Sequence, residues 1–289
     1  MSIMMSVVEP PAERAGPTCC AFPVAENRCR IVSHERVNDE YRHLVALAPQ
    51  AAATVRPGQF FHLRCPSVGD DTPFLRRPMS LYRSCADKGT IEFLYKVQGA
   101  GTRGLASLSI GDTLDAMGPV GNGFSLPQNL RHLLLLARGV GLATLAPLAQ
   151  AAVERGARVT AILSARNRSL VMSDAYLRAV GANVIVVTDE DGNSTPAHIE
   201  AILRSQHEST PFDRFATCGS NRLLLLLQKL GAQLGVRGEI ALEQHMGCAL
   251  GACYACVRPF RKTPHSDELS YRRVCWDGPV FDLQETVTW

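Results

Sequence analysis

The sequence predicts a multidomain protein of the β plus α/β class: an antiparallel barrel, then a parallel-sheet α/β domain, then a small C-terminal segment. Three observations support this. Short β-rich runs fill the first part of the chain, apolar runs alternate with amphipathic windows in the middle, and four cysteines gather near the end. We place a flexible tail at 1–27, the barrel at 28–127, the α/β domain at 128–241 and the cysteine segment at 242–289.

The tail and the overall composition exclude several classes of protein. Residues 1–27 are rich in Pro, Ala and Glu and lack the basic and apolar regions of a secretory signal. A net charge of +3 on 289 residues gives no reason to expect nucleic-acid binding. No apolar run approaches the roughly 18 residues of a membrane span. We therefore expect a cytoplasmic protein whose cysteines outside the C-terminal segment, Cys19 and Cys20 included, are free thiols.

Six short runs predict the strands of the barrel. They cover 30–37, 41–48, 59–65, 79–84, 90–97 and 112–117. Turn residues separate them, as at Pro57-Gly58 and Lys88-Gly89. Even spacing with few helical windows is typical of a small antiparallel barrel.

A first candidate binding segment is Arg77-Pro78-Met79-Ser80. A guanidinium is suited to a two-pronged grip on a pyrophosphate, and the serine hydroxyl can hydrogen-bond the edge of a flavin ring. Taken alone, the same four residues are also typical of an ordinary barrel corner.

A second candidate segment runs from Leu94-Tyr95-Lys96 to Gly101-Thr102. Its glycines allow backbone N–H groups to face phosphate oxygens at the start of a helix predicted over 102–108. Taken alone, a glycine-rich turn is usually only a turn.

The second domain shows the alternation of a parallel sheet. Buried strands are predicted at 131–137, 158–163, 183–188, 212–217 and 237–242, and helices at 142–155, 173–180, 196–205 and 221–234. Ligands of such sheets bind at the carboxyl ends of the strands. Two of these ends carry candidate dinucleotide-binding residues: Gly139 with Gly141, and Cys218 with Gly219.

The C-terminal cysteines predict a metal centre. Cys248, Cys253 and Cys256 have C-x4-C-x2-C spacing, and Cys275 follows. That spacing is typical of a plant-type [2Fe-2S] cluster, whose two irons need four thiolates. Zinc remains the alternative, although structural zinc sites usually pair C-x2-C with C-x2-C. A strand at 257–260 and a polar excursion over 261–273 lead back to Cys275.

In their order and spacing these segments resemble the ferredoxin reductase superfamily, and most closely the electron-transfer subunit of NAD-linked (class 1B) dihydroorotate dehydrogenase. Residues 57–60, 118–124 and 275–281 share the resemblance, which leaves only the tail uncovered. It implies that FAD is lined by the two barrel segments, that NAD(P) lies on the α/β domain and that the cysteines hold [2Fe-2S]. It also implies a hetero-oligomer with an FMN-containing catalytic dehydrogenase subunit. Electrons would pass from that FMN through the cluster and FAD to NAD+, in pyrimidine biosynthesis.

The sequence departs from the family pattern at the nicotinamide loops. Arg138 and Ala137 replace glycines, and Ser220 replaces a proline. Arg138 would either block the site or pair with a phosphate, as NADP(H) would allow. Two alternatives therefore stay open. One is an NAD(P)H-dependent reductase that feeds another flavoenzyme, an oxygenase or a hydrogenase-like partner, and the other is a redox subunit without nicotinamide turnover.

Overall fold

The computed structural model describes residues 24–264 and 266–289. Most of the predicted tail, with Cys19 and Cys20, lies outside the described residues. Strand β1 begins at Ala25, however, so the last residues assigned to the tail, 25–27, belong to the barrel sheet. They pair with the strand that closes the first domain, where Ala25 lies opposite Gly118.

The first domain is an antiparallel sheet, as predicted, but it has seven strands where six runs were predicted. Its strands are β1 (Ala25–Arg36), β2 (Tyr41–Leu47), β3 (Phe60–Leu63), β4 (Arg77–Ser80), β5 (Arg83–Cys85), β6 (Thr90–Lys96) and β7 (Thr113–Val120). They lie in the order β4-β3-β7-β1-β2-β6-β5. Two helices accompany them, α1 (Pro49–Thr54) and α2 (Ala100–Ser107).

The predicted strand at 79–84 is two strands, because the chain crosses here from one edge of the sheet to the other. The N–H of Leu81 donates to Gln59 O at 3.1 Å, beside β3, and that of Tyr82 donates to Glu92 O at 2.9 Å, on β6. This crossing curls the sheet into a barrel. It also leaves β4, with Ser80 at its end, facing the second domain.

The second domain is a parallel sheet flanked by helices, as predicted. Its elements are β8 (His132–Arg138), α3 (Leu142–Glu154), β9 (Arg158–Ala165), α4 (Asp174–Ala179), β10 (Asn183–Thr188), α5 (Pro196–Ser209), β11 (Arg214–Cys218), α6 (Asn221–Leu234) and β12 (Arg237–Ala241). The strand order β10-β9-β8-β11-β12 places β8 beside β11, with Ala137 opposite Cys218. The two predicted dinucleotide loops therefore leave the sheet side by side.

The C-terminal segment is more regular than predicted. Its strands are β13 (Val257–Arg261), β14 (Leu269–Arg273) and β15 (Val280–Asp282). β14 pairs antiparallel with β13, so the expected polar excursion over 261–273 contains the return strand of a hairpin. β15 adds antiparallel to β12 and becomes the sixth strand of the α/β sheet.

One hydrophobic core joins the three parts. It contains Phe60 and Val120 of the barrel, the inner face of β11 and α6, and Cys256, Cys275 and Phe281 of the C-terminal segment. The segment is thus packed into the molecule rather than tethered to it. None of the helices in 24–264 and 266–289 is long and apolar enough to cross a membrane.

Candidate functional site

A cavity of about 370 Å³ lies where the three parts of the chain meet. The barrel contributes Phe60, Pro78, Met79, Ser80, Leu94, Tyr95, Lys96, Gln98 and Thr102. The α/β domain contributes Val140, Ala143, Thr144 and Leu242, and the C-terminal segment contributes Glu243, Gln244, His245, Met246 and Pro279. Seven of the nine residues predicted to line FAD are in this wall. Mixed apolar and polar walls of this kind suit a ring system with a polar edge.

The other two predicted residues, Arg77 and Gly101, meet at the N-terminal end of α2. A Cβ atom on Gly101 would lie 2.7 Å from Arg77 Nε, so only glycine lets the guanidinium lie against the helix. Thr102 stabilises the same turn: its hydroxyl accepts hydrogen bonds from the N–H groups of Gln98 (2.9 Å) and Gly99 (3.1 Å). A cation beside the first turn of a helix is a fitting site for a pyrophosphate.

Two of the residues predicted to line FAD, Tyr95 and Lys96, already have side-chain partners within the protein. The Tyr95 side chain lies in the barrel core, with its hydroxyl 2.8 Å from His34 Nε2, so the ring itself does not face the cavity. Lys96 Nζ lies 2.8 Å from Glu40 Oε2. Glu40 also pairs with Arg166 of the α/β domain, and hydrogen bonds from Lys96 and Arg166 lower the pKa of its carboxyl. Glu40 therefore links the barrel to the α/β domain beside the cavity.

The predicted dinucleotide loops come together at the carboxyl ends of β8 and β11. Gly139 (φ 55°) and Gly219 (φ 88°) both have left-handed backbones, which favour glycine. A Cβ on Gly141 would lie 2.7 Å from Cys218 O, so the two loops touch. The Cys218 thiol is buried next to Thr144 Oγ1 at 3.7 Å, and burial raises its pKa. It is a packing group here rather than a nucleophile.

The Arg138 side chain forms hydrogen bonds with neighbouring residues at the carboxyl end of the parallel sheet. Its guanidinium donates to Ser164 Oγ at 2.9 Å and to both oxygens of Asp189 at 3.2 and 2.6 Å. Hydrogen bonds from Arg138 and then Ser194 lower the pKa of Asp189 to about 2. The arginine charge is thus compensated by Asp189, the residue directly after β10, before any ligand binds.

The loop of residues 248–256, which we call the cluster loop, carries Cys248, Cys253 and Cys256 and has an unusual backbone. Ala249 (φ 57°), Gly251 (φ 74°) and Tyr254 (φ 58°) are left-handed, and two of these three are not glycine. The turns aim N–H groups at Cys248 Sγ, from Leu250 at 3.3 Å and Cys253 at 3.4 Å. Burial opposes ionisation of Cys248, but hydrogen bonds from backbone N–H groups outweigh it and lower the pKa to about 7. The loop is therefore built to hold a thiolate, which is the form that binds iron.

The four cysteines form two pairs. Cys248 and Cys253 share one hydrogen bond, and the N–H of Cys275 donates to Cys256 Sγ at 3.4 Å. Burial, followed by the neighbouring Cys256, raises the pKa of Cys275 to about 12. In the described chain no three His, Cys, Asp or Glu residues are grouped to hold a single metal ion. Two pairs fit a cluster with two irons better than a mononuclear zinc site, which needs all four ligands around one point.

Sequence reasoning missed one wall of the cavity, residues 243–246. They begin one residue after Leu242, which follows the end of β12 at Ala241, so the rule that ligands bind at the carboxyl ends of strands would have identified them. Burial raises the pKa of Glu243. Shifted carboxyl pKa values are common at functional sites.

Comparisons with known proteins agree with this geometry. Residues 28–124 match the model of the oxidoreductase FAD-binding domain, and residues 243–287 match the iron-sulfur cluster binding domain of dihydroorotate dehydrogenase B. Proteins named dihydroorotate dehydrogenase B (NAD(+)), electron transfer subunit, are similar over most of the chain. The one from Desulforamulus reducens is 32% identical and covers 83% of this chain and 90% of its own. That from Streptococcus pneumoniae R6 is 35% identical, with 87% and 94% covered.

The chain belongs to the family of dihydroorotate dehydrogenase B electron transfer subunits. It is an oxidoreductase with an FAD-binding domain and an iron-sulfur binding domain, and the predicted fold class is confirmed.

Solved structures place this family member within a wider fold. The structure of NADH-dependent reduced ferredoxin-NADP oxidoreductase, from work on flavin-based electron bifurcation, has a TM-score of 0.75 and 26% identity, with 90% and 89% of the two chains covered. The ferredoxin reductase of carbazole 1,9a-dioxygenase has a TM-score of 0.60 at 20% identity, covering 75% of this chain and 68% of its own. This second likeness concerns the fold alone.

Proposed function

We propose that this chain passes electrons between an FMN-containing, dihydroorotate dehydrogenase-like catalytic subunit and NAD+, by way of a [2Fe-2S] cluster and FAD, in cytoplasmic pyrimidine biosynthesis. The observation that carries the proposal is the shared cavity. Its walls come from the flavin segments, from the nicotinamide loop and from the residues that lead into the cluster loop. Groups bound at the three positions would be close enough to exchange electrons.

In this scheme the residues of the chain bind the cofactors and orient them. When bound, FAD exchanges a hydride with a nicotinamide and single electrons with an iron-sulfur centre. Arg77 and the first turn of α2 would hold the pyrophosphate of FAD, and Ser80 and Lys96, which line the cavity, would be available to the polar edge of its ring system. Gly139, Gly141 and Gly219 leave room for the nicotinamide dinucleotide at the sheet edge.

The cluster loop supplies the side that a partner subunit would approach. Cys256 and Cys275 are buried in the core, whereas Cys253 is exposed. Exposed apolar side chains, those of Leu250 and Tyr254, lie on the same loop. An exposed apolar rim around one end of a redox centre favours a docked protein over open solvent. We therefore expect a hetero-oligomer.

The test is an anaerobic titration of the purified protein with NADH, in wild type and in Cys253→Ser. NADH should bleach the flavin absorbance of both proteins, because the nicotinamide and flavin residues lie outside the cluster loop. Iron and acid-labile sulfide should be lost only from Cys253→Ser, since one iron would lack a thiolate. Cys85→Ser is the matched control, because Cys85 lies on β5, outside the cluster loop.

Three outcomes would change the proposal. Wild-type iron and sulfide in Cys253→Ser would show that the ligand set is wrong. A flavin that neither NADH nor NADPH reduces would indicate a redox subunit without nicotinamide turnover. A clear preference for NADPH would favour a reductase that feeds another enzyme.

A further inference from the structure

The Arg138 side chain crosses the carboxyl ends of three adjacent strands. Arg138 is the last residue of β8, its partner Ser164 is the last residue but one of β9, and its second partner Asp189 directly follows β10. The strand order β10-β9-β8 makes these three ends neighbours. The carboxyl ends of parallel strands are where such sheets bind nucleotides. Arg138 and its carboxylate partner therefore lie together on the dinucleotide-binding edge of the sheet.

The Asp189 carboxylate is held as a bound phosphate would be. Arg138 donates to both of its oxygens, at 3.2 and 2.6 Å, and the hydroxyl of the buried Ser194 donates to one of them. The charge of Arg222, at the start of α6, also acts on this carboxylate. Guanidinium groups and a hydroxyl around one anion are donors typical of a phosphate site. This corner thus has the chemistry of a phosphate site, and a residue of the chain itself fills it.

The backbone fixes Asp189 in this position. Its N–H donates to Ala165 O at 3.1 Å, at the end of β9, and its carbonyl accepts from the N–H of Gly192 at 3.0 Å in the turn that follows. Hydrogen bonds from Arg138 and then Ser194 lower the pKa of its carboxyl to about 2. The carboxylate therefore stays ionised at neutral pH, where it repels a second anion.

The adenosine end of a nicotinamide dinucleotide would lie at this corner. The nicotinamide end must reach the flavin cavity, whose wall includes Val140 and Thr144. On the β12 side of that cavity, residues 243–246 lead into the cluster loop. The rest of the dinucleotide would therefore extend the other way, over β9 and β10. NAD and NADP differ only at the adenosine ribose, where NADP carries a 2′-phosphate.

We propose that Asp189 makes this chain selective for NAD(H), because its carboxylate occupies the place that the 2′-phosphate of NADP(H) would take on Arg138. The proposal rests on the proposed nicotinamide site and adds the residue that decides between the two carriers. In dinucleotide-binding sheets an acidic side chain hydrogen-bonds the 2′-hydroxyl of NAD, and an arginine accommodates the 2′-phosphate of NADP. Here both residues are present and paired, so the arginine is not available to a phosphate while the carboxylate is in place.

The two arginines in the loop after β9 are also paired with carboxylates. Arg166 pairs with Glu40, and Arg168 pairs with Asp191 at 3.0 Å. Neither therefore offers an uncompensated charge to a 2′-phosphate. Removal of Asp189 would instead expose the Arg138 guanidinium, with Arg222 beside it, to an incoming anion.

The test compares the binding of adenosine 2′,5′-bisphosphate, which carries the 2′-phosphate, with that of 5′-AMP, which lacks it, by calorimetry on the full-length protein with its cofactors. The wild type should bind 5′-AMP more tightly. Asp189→Ala should raise the affinity for the bisphosphate relative to 5′-AMP by about 10- to 100-fold, the contribution of a hydrogen bond to a charged group. Flavin reduction by NADPH should gain on reduction by NADH in the same direction.

Glu190→Ala is the matched control. It removes a carboxylate from the adjacent position, where the side chain is exposed, and it should leave the ratio of affinities unchanged. Asp189→Asn, which removes the charge and keeps the shape of the side chain, should shift the ratio in the same direction as Asp189→Ala. Replacing Arg138 by Ala in the Asp189→Ala protein should remove most of the gain, because the phosphate then loses its main donor.

Three results would overturn the proposal: a wild type that prefers the bisphosphate, an Asp189→Ala variant that keeps the wild-type ratio of affinities, or a gain that persists in full without Arg138. A wild type whose flavin is reduced by neither NADH nor NADPH would contradict the proposed function itself, which separates that failure from this one.

Discussion

At the scale of single residues, we expect His62 to make the free energy of unfolding depend on pH. It lies on β3 with only 1% of its surface exposed, and Nε2 has no hydrogen-bond partner within the described chain. Burial, then the charge of Arg76, lowers its pKa to about 4. The folded protein therefore keeps this imidazole neutral at pH values where an unfolded chain would protonate it.

We expect the wild type to lose about 1 kcal/mol more stability than His62→Gln between pH 7.5 and 5.5. Below pH 6.5 the unfolded state binds the proton and the folded state does not, so stability falls as the pH drops towards 4. Above 6.5 neither state binds it, and this residue adds no slope. Urea unfolding at both pH values measures the difference.

His198→Gln is the matched control, because His198 lies exposed on α5. It should keep the wild-type pH dependence. Equal slopes for wild type and His62→Gln would show that His62 takes up its proton in the folded state as well.

The spacing of the four cysteines identified them as candidate cluster ligands, but it did not show which of them lie next to each other. The C-x4-C-x2-C motif and a fourth cysteine can be read along the chain, whereas the pairing of Cys256 with Cys275 depends on the β13–β14 hairpin that brings them together. Arg138 shows the same limit. Its partner Asp189 is 51 positions away. The sequence could therefore show that Arg138 is unusual at this position, but not that a carboxylate neutralises its charge.

At the scale of elements, the N-terminal turn of α2 offers a direct test of the pyrophosphate site. Gly101→Ala should weaken FAD binding by about 10-fold or more, because the new Cβ would displace Arg77, and a hydrogen bond to a charged group contributes about 1.5 to 3 kcal/mol. Flavin fluorescence titration gives the affinity. The free energy of unfolding without flavin should change little, since alanine favours a helix and the displaced side chain is flexible.

Gly99→Ala is the matched control. A Cβ at Gly99 would meet nothing within 4 Å, and its backbone is extended, so FAD affinity should stay at the wild-type value. If both variants bind FAD like the wild type, Arg77 does not hold the pyrophosphate from this position.

Elements with a strong local pattern could be predicted, and elements defined by distant partners could not. β10 and α6 have the predicted bounds, because an apolar run and a leucine-rich amphipathic window mark them locally. The helix α1 has six residues, too few to show a period. β15 has three, and it is a strand only because β12 presents a free edge to it.

At the scale of the molecule, the iron-sulfur segment and the α/β domain are one packed body. Cys256 and Cys275 are 2% and 1% exposed in the core that also holds α6 and β11. Phe281 of β15 packs on Phe260 with ring centroids 4.2 Å apart. Residues that lead to the cluster are thus part of the sheet that would bind the nicotinamide. Unfolding of the iron-sulfur segment should therefore destabilise the α/β domain, and the reverse should also hold.

We therefore expect the cluster and the α/β fold to be lost in one transition on heating. Phe281→Ala should lower the midpoint of far-ultraviolet circular dichroism and that of cluster absorbance together, by roughly 10 °C, since removing a buried phenylalanine costs about 3 to 5 kcal/mol. Tyr271→Ala, on the exposed face of β14, should move neither midpoint. Cluster bleaching well below the unfolding midpoint, unchanged by Phe281→Ala, would mean that the segment opens on its own. Electron transfer would then pass through a mobile part of the chain instead of a fixed one.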